Sequence, residues 1–141
     1  MNLQTSVDIR AETETESVWD TLMDLERWPE WTGSVDKIER LDKAELGIGC
    51  GVRIHQPRIP VAIWKVTEFE WGKSFTWESR AIGIKNVATH LLQPRGDGVV
   101  TVTLTLTQTG WVARLVRSRA EKTAREYLAM ESQGLKRRCE V

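Results

Sequence analysis

With 141 residues, 40% of them hydrophobic and 28% charged, the chain has the size and composition of a single globular domain, which excludes a disordered or collagen-like polymer. Twenty Lys and Arg offset twenty Asp and Glu, so no global field draws the molecule onto nucleic acid or anionic lipid. The zero hides a gradient from −7 over residues 1–46 through +3 over 47–110 to +4 over 111–141.

Residues 2–10 alternate, with Leu3, Thr5, Val7 and Ile9 on one side, which is the period of a strand with one wet face. Thr13 followed by Glu16 fits a capping box, and Val18, Trp19, Leu22, Met23 and Leu25 continue at helical spacing, predicting a helix over 14–26. Pro29 disfavours helical geometry at Trp28, so Trp28 to Trp31 begins a second short helix at an angle, closed by Gly33. From Val35 to Thr109 the pattern is strand punctuated by turns: 35–41, 52–56, 61–71, 74–80, 85–93 and 99–109, with Arg95-Gly96-Asp97-Gly98 as the clearest hairpin signal. The last of these strands sets Val100, Val102, Leu104 and Leu106 against a row of threonines. After Gly110, apolar residues at helical spacing predict one long helix over 111–138, with small residues Ala120, Thr123 and Ala124 in the middle of its stripe. A helix in water needs a surface for such a stripe, and small residues facing a curved sheet leave room beneath it.

No stretch approaches the ~18 apolar residues of a membrane span, and the N-terminus lacks the apolar core of a secretion signal. Cys50 and Cys139 lack CxxC spacing and read as free thiols of a reducing compartment, so a cytoplasmic location is expected. Two His and two distant Cys give no metal-ligand spacing, and Gly47-Ile48-Gly49-Cys50-Gly51 leads into a strand without a following GK[ST], so neither a metal nor a cofactor is expected. Ser74 and Ser79 have no elbow context, and no nucleophilic triad is visible.

Four stretches carry a family likeness: VWDTLMDLERWPEW at 18–31, QPRIPVAIWKVTEFEWGKSFTWES at 56–79, ATHLLQPRGDG at 88–98 and YLAMESQGLK at 127–136. Together with the element order, they resemble the START-like (SRPBCC) superfamily, and within it the small bacterial polyketide cyclase/dehydrase and lipid-transport-like proteins. The entry to the first helix, Ala11 to Thr15, departs from these proteins in lacking a proline. The resemblance implies an α+β helix-grip fold over residues 1–141. In it a seven-stranded antiparallel curved sheet wraps around a long C-terminal helix, with two short helices between strands 1 and 2. It also implies a cavity between sheet and helix, and pockets for small apolar ligands run to ~300–1,000 Å³.

Strand parity then selects site residues. If Phe75 and Trp77 face inward with Val102 and Leu104, either Ala88, His90 and Leu92 or Val87, Thr89 and Leu91 share that face, and the resemblance favours the His90 set. An inward imidazole is a general base or a hydrogen-bond donor to a ligand carbonyl, or else a core histidine bonded to the backbone. Tyr127, the single tyrosine, sits on the helix stripe as a donor or acid, or as packing. Trp64 and Trp77 are wall candidates, Trp28 and Trp31 rim an entrance or plug the helix pair, and Thr123 faces the space. The expected partner is an apolar small molecule bound by a monomer or homodimer. The alternatives are a polyketide cyclase or aromatase with His90 as base and Tyr127 or indole N–H groups as oxyanion donors, and a co-chaperone-like or structural module acting through its surface.

Overall fold

A computed structural model describes residues 1–43 and 45–140. Strand β1 (Asn2–Arg10) is followed by α1 (Thr15–Met23) and a 3₁₀ turn (Leu25–Glu30). Then come β2 (Lys37–Arg40), β3 (Gly51–His55), β4 (Ala62–Glu70), β5 (Ser74–Ala81), β6 (Ile84–Gly96) and β7 (Val99–Thr109), with α2 (Trp111–Leu115) and α3 (Arg117–Cys139) closing the chain. The seven strands form one antiparallel sheet in the order β1-β7-β6-β5-β4-β3-β2. The chain thus crosses to the far edge through the helix pair and returns strand by strand to lie beside β1.

The register settles the face of every strand. Val7 opposes Val102, Leu92 opposes the same Val102, His90 opposes both Leu104 and Phe75, and Trp77 opposes Val66. Val52 opposes Trp64 and Ile38 opposes Ile54. These side chains line the face that α3 covers, and the threonines of β7 line the other, as the alternation requires. A bulge between Val66 and Glu68 returns Phe69 to the inner face opposite Phe75. The β6–β7 hairpin turns through Asp97 (φ 55°) and Gly98 (φ 73°), the left-handed pair that a two-residue turn demands.

The strand bounds shift by a few residues, as at β2 and β6, and three features of the helices differ from the sequence reading. The N-cap of α1 is Glu14 and no capping box forms with Glu16; Thr13, one residue earlier, accepts from the Ser17 N–H at 3.2 Å. Helix α1 stops at Met23, short of residue 26, because the chain tightens into the 3₁₀ turn that carries Pro29. The C-terminal helix is broken at Val116 (φ −106°, ψ 11°). There the Val112 and Ala113 N–H groups donate to Gly83 O at 3.1 and 3.4 Å, so the β5–β6 turn orients α2, while α3 is oriented by β1 and the helix pair. Two anchors with different axes do not accommodate one straight helix.

Candidate functional site

Helix α3 runs closest to β1, β7 and α1, and the sheet curls away from it toward β4 and β5. Large aromatic side chains fill the widening gap. Trp31 meets Trp28 (ring centroids 5.1 Å), Trp28 meets Trp77 (5.6 Å), and Trp77 meets Trp64 (6.2 Å) and Phe75 (5.2 Å). Val102 and Leu104 lie buried on β7, beyond β6 from these aromatic residues. Such rings bring large apolar area at fixed geometry, and each indole adds one donor.

His90 stands in this wall, 3% exposed. Its ring stacks on Phe75 at 4.1 Å and 8°, with Trp77 edge-on at 5.4 Å and Trp28 at 5.9 Å. Nδ1 lies 3.4 Å from Phe75 O, and Nε2 points across the gap to Glu131 Oε1 of α3 at 3.3 Å. Both ring nitrogens therefore face acceptor oxygens. The contact with Glu131 lies off the line of the ring N–H, and among the described residues Glu131 Oε1 is buried and accepts no hydrogen bond. Leaving that oxygen without a hydrogen bond is costly, since an unsatisfied polar group forfeits about 1–3 kcal/mol.

More polar atoms on the concave side are buried and unpartnered among the described residues: Trp31 Nε1, Trp64 Nε1 and Gln108 Oε1. Gln108 belongs to an inward-facing polar row one register step beyond Trp77 and Ala88. Its Nε2 donates to Asn86 Oδ1 at 2.9 Å, and Asn86 Nδ2 donates to Ser79 Oγ at 3.3 Å. Ser79 in turn opposes Trp64.

Other site candidates are already engaged. The Trp28 Nε1–H donates to Leu22 O at 3.0 Å, so Trp28 pins the helix pair and offers the interior no free donor. The Tyr127 hydroxyl donates to Pro57 O in the β3–β4 loop. Arg58 of the same loop lies over the Tyr127 ring, 5.6 Å from its centroid, and pairs with Glu126 at 2.9 Å. The hydrogen bond from Arg58, followed by its charge, holds the Glu126 carboxyl below the usual carboxylate range. Thr123, one turn earlier, is half-buried. Tyr127 thus fastens a loop to α3, while His90, Phe75, Trp77 and Trp64 stand together.

Two concavities lie elsewhere. One of about 700 Å³ opens on the convex face between Gln4, Asp8, Arg95 and Thr101. The other, about 220 Å³, lies between Asp20, Asp24 and Arg138 beside Trp31. Neither lies between α3 and the central strands, where the aromatic rings meet one another. The sequence reading missed Glu131, Asn86, Ser79 and Gln108 as members of this interior. The signals were present: a carboxylate in the helical stripe four residues after Tyr127, and amides at apolar parity on β6 and β7.

Residues 2–140 match the family described as polyketide cyclase / dehydrase and lipid transport. The chain belongs to this family. No curated protein matches the sequence. Among solved structures it is similar to an aromatase/cyclase from Streptomyces sp. R1128 (TM-score 0.81, 13% identity, 99% of this chain and 93% of the other). It is also similar to a START superfamily protein from Mycobacterium smegmatis (0.79, 17%, 99% and 97%) and to norcoclaurine synthase from Thalictrum flavum (0.72, 10%, 97% and 84%). At these identities the likeness shows the fold, and the helix-grip architecture is common to all of them.

Proposed function

We propose that the chain binds an apolar or aromatic small molecule carrying at least one polar group, in the interior between α3 and strands β4 to β7. One observation carries this reading: beside an aromatic wall, Trp64 Nε1, Gln108 Oε1 and Glu131 Oε1 are buried without partners among the described residues. Each costs stability as it stands, and a ligand offering an acceptor to the indole and donors to the two oxygens would recover that cost. Membership of a family described by cyclisation and lipid transport supports the apolar class of ligand. Because the rings are in contact, entry requires some of them to move apart.

The test is titration of the protein's tryptophan fluorescence with fatty acids and aromatic polyketides, beside native mass spectrometry of protein purified from its host. Saturable quenching and a co-purified mass are expected. Trp64→Phe, which keeps an aromatic ring and removes the N–H, should weaken binding about tenfold, the worth of one hydrogen bond in a dry site. No quenching across the panel together with no bound mass rejects the reading.

A second reading, cyclisation, is favoured by the approach of His90 to Glu131. His90 Nε2 would take an acidic α-proton, and the C–H pair would become the C=C bond of an enolate as the carbonyl π pair moves onto oxygen. The enolate carbon would attack a second carbonyl, whose new alkoxide takes the proton back from the imidazolium. Glu131 faces the imidazolium that forms, and the unpartnered Trp64 N–H, in place of the engaged Tyr127 hydroxyl, would donate to the enolate oxygen. Unchanged turnover of a genuine substrate by His90→Ala would remove His90 as the base.

A further inference from the structure

At one end of the sheet, large apolar side chains stand together in water. Ile82 at the tip of the β5–β6 turn is 89% exposed, and Trp111, Leu115 and Val116 are 60%, 76% and 42% exposed. The backbone fixes them as one unit, because Gly83 O accepts from both Val112 and Ala113 and the Trp111 ring lies directly over Gly83. A side chain at Gly83 would come within 2.9 Å of that indole, and one at Gly110 would overlap the Gly83 carbonyl. Trp111 and Leu115, four residues apart, share a face of α2.

A cationic collar surrounds this tip. Arg114, Arg117 and Arg119 are exposed and form no ion pair among the described residues, and residues 111–120 contain no acid. Arg80 and Lys85, at the base of the turn, share the single carboxylate of Glu78 at 3.3 and 3.7 Å.

We propose that this tip docks the protein on an anionic membrane surface. Ile82 and Leu115 would reach the acyl boundary, the Trp111 indole would sit at headgroup level, and the arginines would meet lipid phosphates. Both halves of the surface are needed. Nucleic acid would satisfy the arginines and leave the apolar tip in water, and a second copy would set one collar against another. No helix among the described residues is long and apolar enough to cross a membrane, so the contact is peripheral. The zero net charge does not oppose it, since attraction at the bilayer falls off within a Debye length and only the local collar is felt. The tip stands where α2 meets the start of α3 and takes no part in the proposed ligand site. The docking surface itself does not rest on that reading.

Flotation of the full chain with vesicles of phosphatidylcholine, alone and mixed with phosphatidylglycerol, tests the proposal. Binding is expected to the mixed vesicles only and to weaken with salt. Replacing the three arginines together (Arg114→Gln, Arg117→Gln, Arg119→Gln) should lower partition about 100-fold, and Leu115→Ser about tenfold. Circular dichroism and thermal unfolding, unchanged in both, would exclude misfolding. His90→Ala should float like the parent, so failure of the interior-ligand reading would leave this result standing. Absence of flotation, equal flotation with both vesicles, or a dimer in sedimentation velocity that Leu115→Ser dissociates would each overturn the proposal.

Discussion

From Ala124 onward, α3 is held against the body of the protein by contacts of every kind, whereas from Arg117 to Thr123 almost nothing holds it. In the later half Leu135 is fully buried, Arg138 pairs with Glu30 at 2.8 Å, and Lys136 Nζ donates to Asp8 O at 2.6 Å. In the earlier half Arg117, Ser118 and Arg119 are exposed and Ala120, Glu121 and Thr123 are half-buried. Local stability follows buried contacts, so one helix has a fixed end and a free end. The fixed end defines the grip on the sheet, and the free end adjoins the apolar tip.

The contrast breaks most sharply at Gly134. The helix touches the helix-pair backbone there, and a Cβ at Gly134 would overlap the Trp31 carbonyl oxygen. Gly134→Val should therefore cost about 3 kcal/mol or more, because backbone on both sides leaves nothing flexible to yield. Ser118→Ala at the free end should stay within about 0.5 kcal/mol. Urea unfolding of both variants measures the difference, and equal midpoints would show that the close approach does not hold the helix.

Glu131, just beyond the middle of α3, sharpens the comparison from inside. Its unpartnered carboxylate oxygen lies on the grip side of the helix, where an apolar residue would pack better. Glu131→Met should raise stability by about 1–3 kcal/mol and at the same time weaken ligand binding in the fluorescence titration. A lower melting temperature would show that the carboxylate serves the fold and not the site.

How much of this could be read from sequence follows from which interactions are periodic. The alternation in β1 and β7 and the hairpin at Asp97 and Gly98 are local, and they brought the sheet into view strand by strand. Parity placed Phe75, Trp77, Val102 and Leu104 on one face but left His90 open between two registers, and only its pairing with Phe75 and Leu104 closes that choice. The break at Val116 depends on Gly83, about thirty residues away in sequence, and no helical periodicity records it. Tyr127 lay on the expected stripe, yet its hydroxyl went to a loop carbonyl, because a side chain's polar tip obeys its nearest acceptor and not its helix face. Glu131 was legible as an anomaly, a charge among apolar positions, although its meaning required the strand opposite.

The gentlest probe of the fixed end is pH. The backbone N–H of Arg10 donates to Glu140 Oε2 at 2.8 Å and Lys136 Nζ does so at 3.0 Å, tying the end of α3 to β1. The Arg10 N–H first, then Lys136, hold the Glu140 carboxyl below its ordinary range. A carboxyl that is more acidic in the folded chain than in the unfolded one stabilises the fold above the unfolded value, about 4.3 for Glu. That contribution disappears as pH falls through the lower, folded value. The group is exposed to solvent and screened, so the effect should stay below about 1 kcal/mol. Glu140→Gln keeps an acceptor and removes the charge. The stability gap between parent and variant should therefore be present at neutral pH and close as pH falls through the lowered, folded value. A gap that stays unchanged after the carboxyl has been protonated would assign the tie to hydrogen bonding alone. A gap that closes would show that the grip is fastened at its last turn by charge, at the end opposite the arginines of the free tip.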